Sequence, residues 1–207
     1  MDQTRTEEKW NAISHGAGII LGMTGLILLL FFNTDKTSFS TLSIIIYGLS
    51  IIVLYTSSTI YHAVQNIKWK HLWRKADHIS IYILIAGTYT PVSLITLEKG
   101  NGWLIFWIVW GIAGIGTLLK IFFTGKFEVL SLLLYLLMGW LIVFDLQDLL
   151  ANISSTGLTF LTLGGAFYTL GVLFYAINRI PYNHVIWHFF VLGGSISHFL
   201  FIFLDVI

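Results

Sequence analysis

The chain has 207 residues, 57% of them hydrophobic and 10% charged, with a formal net charge of +1 and a mean hydropathy of +0.84. A water-soluble domain carries roughly 25% charged residues, so the polar surface needed to coat a soluble globule is missing and the composition points to a membrane protein. The absence of cysteine excludes disulfides and thiolate metal ligands, leaving histidine and carboxylate for any metal. No basic patch interleaved with aromatics suggests a nucleic-acid partner.

The charged residues divide the chain into uncharged apolar stretches, each able to hold the roughly 17–25 residues of a transmembrane helix. Helices are predicted near 15–32, 41–64, 77–97, 101–123, 127–147, 156–177 and 184–205. The fold class is therefore all-α, a single seven-helix membrane domain. The first stretch follows a polar amphipathic segment and has no A-x-A cleavage site, so it reads as a spanning helix rather than a signal peptide. Polar loops such as Asn33-Thr34-Asp35-Lys36 and Asn152-Ile153-Ser154-Ser155 separate the spans. Pro91 removes a backbone donor and should kink or loosen the end of the third helix. Gly111, Gly114, Gly164, Gly165, Gly193 and Gly194 are expected to permit close helix contacts. Asp145 and Asp205 are expected near the outer helix ends, within reach of headgroup water.

Orientation follows from the lysine and arginine bias. Arg5, Lys9, Lys68, Lys70, Arg74, Lys75, Lys120, Lys126 and Arg179, nine of the eleven basic residues, share one side of this topology, and only Lys36 and Lys99 lie on the other. The N-terminus is expected in the cytoplasm and the C-terminus outside. His62 then ends the second helix on the cytoplasmic side, where Asp77 and His184 open the third and seventh. His188 lies one turn deeper than His184, about 6 Å at 1.5 Å per residue, and His198 roughly 15 Å beyond that.

His184 and His188, four residues apart, point from one helix face. With His62 they offer three neutral imidazoles, a set that suits zinc with an open coordination position. Ser58, one turn before His62, is placed to bind a water or orient a ligand. Asp77 is placed to hold that water as a general base, or to ligate directly. Zinc would lower the pKa of the water to near 7. A histidine near a helix end is ordinarily an interfacial polar residue, and His15 and His71 read that way. His78 points about 100° away from Asp77 on a helix and fits a hydrogen bond to the loop as well as it fits a role in the site. His198, on a helix rich in glycine and serine, fits a hydrogen bond across a helix interface better than ligation. Ionisable groups inside membrane segments are costly and usually functional, which favours a joint role for His62, Asp77, His184 and His188.

These residues resemble a known family. Glu8, Asn11 and His15 before and at the first helix, Ser58, His62 and Asp77 across the second and third, and His184 and His188 on the seventh match the motifs of hemolysin III proteins, the bacterial branch of the PAQR (progestin and adiponectin receptor) family. The resemblance covers essentially the whole chain. It implies seven helices with a cytoplasmic N-terminus in a bacterial cell membrane, and a zinc ion held by His62, His184 and His188 with Asp77 reaching it through water. Glu8, Asn11, His15 and His198 are candidates for a supporting layer around these ligands. The wider superfamily includes alkaline ceramidases, so the resemblance also implies hydrolysis of a lipid amide or ester, with membrane lipids as partners. The chain lacks the long N-terminal region and the sizeable extracellular segment of the receptor members, so a protein hormone is not expected. Two other functions fit the same residues: membrane lysis, as the family's name suggests, and lipid sensing with a structural zinc. The sequence leaves the oligomeric state open.

Overall fold

A computed structural model describes residues 3–177 and 179–207. It contains α1 (Arg5–Phe31), α2 (Ser40–Ala63), α3 (Ile67–Pro91), α4 (Gly102–Phe123), α5 (Glu128–Gly139), α6 (Leu146–Asn152), α7 (Ser155–Ala176) and α8 (Asn183–Phe201). No strand occurs among the described residues. Short irregular turns join some of these helices into longer rods, giving seven segments long and apolar enough to cross a membrane.

Two helices begin about ten residues before their expected starts. α1 opens with a capping box, in which the Glu7 amide donates to Thr4 Oγ1 at 3.2 Å and the Thr4 amide donates to Glu7 Oε2 at 2.8 Å. α3 opens on Asn66, whose side-chain oxygen accepts from the Lys68 and Trp69 amides. The polar stretch from Ile67 to Ala76 is thus the first turns of a helix and not a loop. Its charge marks the edge of the apolar zone rather than the end of the helix.

The third rod passes through Pro91 into a π-turn over Val92–Thr96. Proline cannot donate to a carbonyl one turn back, and the wider turn accommodates the missing bond. The fifth rod is interrupted. α5 gives way at Trp140 to a 3₁₀ segment, Leu141–Asp145, and then to α6. Tyr89, reaching across from α3, sits in the gap: its hydroxyl donates to the Gly139 carbonyl at 3.1 Å and accepts from the Ile142 amide at 2.9 Å. A side chain inserted into the hydrogen-bond ladder in this way is a recognised cause of helix breaks.

Neighbouring helices pack in the order α8, α1, α2, α3, α4, with the α5–α6 rod against α3 and α4, and α7 against α8. The core lies mainly on α2 and α3, where Ile44, Tyr47, Leu54, Tyr55, Tyr82, Leu84 and Ala86 are almost fully enclosed. The outside is apolar as well: Phe31 and Phe144 are 80% and 90% exposed, with Ile20, Ile27, Trp107 and Phe122 also outward. A soluble protein could not hold such a surface in water; in lipid it is the favourable arrangement, because the helices satisfy their own backbone groups.

Three of the six glycines expected at helix contacts serve that purpose. Gly164 faces His198, Gly193 faces the Phe167 ring and Gly194 the Tyr168 ring, whereas Gly111, Gly114 and Gly165 have nothing within 4 Å. The tightest seams fall on other glycines, including Gly18 against Tyr55 and Gly116 against Tyr82. Asp145 also departs from expectation: it is 7% exposed and accepts from Asn101 Nδ2 at 2.8 Å rather than reaching headgroup water. Asp205 accepts from the Ser154 amide, at 3.0 and 3.2 Å to its two oxygens, beside the start of α7.

Candidate metal centre

The end of α2 and the start of α8 meet beside the first turns of α1. His62 is on the last turn of α2 and is held there by burial, at 4% exposure. α8 starts after a turn at Tyr182 whose φ is +56°, and Asn183 Nδ2 donates to the Phe174 carbonyl at 3.0 Å, tying the start of α8 to the end of α7. His184 and His188 then project from one face, with ring centroids 4.7 Å apart. The His62 ring lies 5.2 Å from that of His184 and 4.9 Å from that of His188. Each of the three offers a ligand nitrogen within 4.8 Å of the other two.

This donor set fits a metal ion. Nε2 of His62 is buried and has no hydrogen-bond partner among the described residues, an arrangement that costs free energy unless something binds there. Three converging imidazoles and no thiolate suit a borderline cation such as zinc, with one coordination position left open.

The other candidates fall at different distances. Ser58 is 1% exposed, and its hydroxyl has no hydrogen-bond partner among the described residues. Asp77 is buried at 9% exposure, with no hydrogen bond or ion pair to its carboxylate among the described residues. The group of ligand atoms lying within 4.8 Å of one another is made of His62, His184 and His188 and does not include Asp77. α3 is fixed beside α2 at this level by Ser57 Oγ, which donates to Ser80 Oγ at 3.0 Å, while Ser80 Oγ donates to the Asp77 carbonyl at 2.6 Å.

His15 is not interfacial. It is 4% exposed, stacked face to face on His188 with centroids 3.6 Å apart and planes 10° apart, and edge-on to Tyr55. His71 is exposed, as expected. Glu8 Oε2 lies 2.7 Å from His62 Nδ1, and Glu8 Oε1 2.8 Å from Lys70 Nζ. The Asn11 carbonyl lies 3.3 Å from His188 Nδ1, and Ser14 Oγ 3.4 Å from the same atom. His198 is elsewhere, against Gly164 and with its ring 5.4 Å from that of Tyr168. His78 lies beside a separate ionic group: its Nδ1 is 3.9 Å from Glu128 Oε1, while Lys120 Nζ, on a lysine side chain only 1% exposed, is 2.8 Å from Glu128 Oε2.

Ser14 and Lys70 were not singled out from the sequence. Ser14 follows Asn11 by three residues, a helical neighbour on the same side, and that spacing was the available signal. Lys70 depended on α3 starting early, which only the Asn66 cap hinted at.

The fold and the site together define a multi-pass, seven-helix membrane protein with a three-histidine cluster able to hold a metal at one end of the bundle. The family model described as "Haemolysin-III related" matches residues 3–199. The chain belongs to the haemolysin III family. It is 40% identical to Hemolysin-3 of Bacillus cereus over 200 residues, covering 96% of this chain and 91% of that protein. It is 42% identical to the Hemolysin-3 homolog of Bacillus subtilis over 197 residues, covering 95% and 92%. A more distant likeness, 29% identity over 203 residues and 93% and 82% of the two chains, links it to the human monocyte to macrophage differentiation factor, a relative on the PAQR side.

Proposed function

We propose that this protein is a zinc-dependent intramembrane hydrolase acting on a lipid amide or ester, with its reaction centre at the cytoplasmic end of the bundle. The observation that carries the reading is the convergence of His62, His184 and His188 beside buried polar groups that lack partners, Ser58 Oγ among them. Ionisable groups within membrane segments are costly and mark functional sites. When bound, zinc would supply Lewis acidity toward a carbonyl and acidify a water at neutral pH. Asp77, buried and without an ion pair among the described residues, would take the proton of the attacking water and pass it to the leaving amine or alcohol. The Ser58 hydroxyl would donate a hydrogen bond to the developing oxyanion.

The purified protein is expected to hold about one zinc per chain and to hydrolyse at least one class in a panel of lipid amides and esters, and His188→Ala is expected to lose both metal and turnover. Stoichiometric zinc with no hydrolysis of any lipid class would overturn the enzymatic reading. The name of the Bacillus cereus relative suggests membrane lysis instead. Dye release from liposomes that persists in metal-free His184→Ala protein would favour lysis over catalysis.

A further inference from the structure

The three ligands come from α2 and α8, yet the groups that touch the far side of two of them come from α1. Glu8, Asn11 and His15 recur at helical spacing, with Ser14 beside His15. An imidazole binds a metal through one nitrogen only, and the proton on the other nitrogen decides which one is free. In metal sites that second nitrogen is generally held by a carboxylate or a backbone carbonyl, which fixes the tautomer and raises the basicity of the ligand.

We propose that the first three turns of α1 form the outer frame of the metal centre, an inference that rests on the metal reading above. His62 Nδ1–H donates to Glu8 Oε2 at 2.7 Å, and His188 Nδ1–H donates to the Asn11 carbonyl at 3.3 Å. Both rings thereby turn Nε2 toward the ion, in agreement with the buried and unpartnered Nε2 of His62. His15, stacked at 3.6 Å, holds the plane of the His188 ring.

Glu8 is itself fixed from a third helix. Its other oxygen pairs with Lys70 Nζ at 2.8 Å, and Lys70 donates to the Tyr61 carbonyl at 3.1 Å while its ammonium lies 4.8 Å above the Tyr61 ring. The chain Lys70, Glu8, His62 therefore links the starts of α1 and α3 to the end of α2. Glu8 is a positioning residue in this scheme and touches neither metal nor substrate. Because binding and ordering are reciprocal, metal uptake should also steady the first turns of α1.

The test measures zinc affinity of the full-length protein in detergent, by competition with a chromophoric chelator, for wild type, Glu8→Gln and Glu8→Asp. Glu8→Gln should bind zinc about 10–100-fold more weakly, with Glu8→Asp between it and wild type. In parallel, amide hydrogen exchange of wild-type residues 5–12 should slow when zinc is added to the metal-free protein. Zinc binding by Glu8→Gln within twofold of wild type overturns the proposal, as does exchange over 5–12 that ignores zinc. The exchange measurement decides the matter if Glu8→Gln fails to fold. Wild-type protein that takes up no zinc would instead overturn the metal reading on which the proposal rests.

Discussion

At the scale of single residues, the ligand set separates from its neighbours by where each side chain can obtain partners. His62 and His188 have one ring nitrogen occupied from α1, whereas Asp77 has no partner for its carboxylate among the described residues although it is 9% exposed. In the proposed reaction that carboxylate would act on the attacking water. Asp77→Asn is therefore expected to leave zinc content within about twofold of wild type and to lower turnover by about 10²–10⁴-fold, the usual range for a general base. Metal analysis and a lipid-hydrolysis assay on one preparation check both; loss of zinc along with activity would make Asp77 a ligand. The three histidines could be read from the sequence because an i, i+4 pair and the charge-derived topology place them at one level. The surroundings of Asp77, His15 and Glu8 could not, since they depend on how α1, α2 and α3 are rotated against each other, and no local spacing encodes that rotation.

At the scale of elements, hydropathy marks the apolar stretches but not where the helices begin. α1 and α3 continue beyond the apolar stretch because capping at Thr4 and Asn66 satisfies their first amides regardless of polarity. The break in the fifth rod comes from Tyr89 of another helix, so nothing within 127–147 announces it. Glycines show the same limit. A glycine in a membrane helix suggests a close contact, but only the packing tells which face it is on. A Cβ at Gly116 would collide with the Tyr82 ring, which is wholly enclosed and cannot move aside, whereas a Cβ at Gly111 would meet nothing within 4 Å. Gly116→Ala is thus expected to destabilise the fold by about 1–3 kcal/mol, the range for overpacking, and Gly111→Ala to change it by less than about 1 kcal/mol. Thermal unfolding of the two variants in one detergent would show a clear fall for Gly116→Ala alone; equal midpoints would mean that α3 and α4 are not packed as described.

At the scale of the whole molecule, the histidine cluster and the basic residues belong to the same end of the bundle. Glu8 is paired with Lys70 beside His62, and Glu128 is paired with Lys120 and lies 3.6 Å from Arg74, so acidic side chains from the starts of α1 and α5 draw the lysines and arginine of α3 and α4 together. Lys36 lies at the opposite end, where its ammonium donates to the Asp205 carbonyl at 3.1 Å. If positive charge is retained in the cytoplasm, the histidine cluster faces the cytoplasmic leaflet. Because the chain has no cysteine, single reporters can be introduced without background. A membrane-impermeant maleimide added to intact cells should label Lys36→Cys directly and Lys68→Cys only after permeabilisation. The reverse pattern would move the histidine cluster to the outer leaflet, and a hydrolase at that site would then take its lipids from the outer surface.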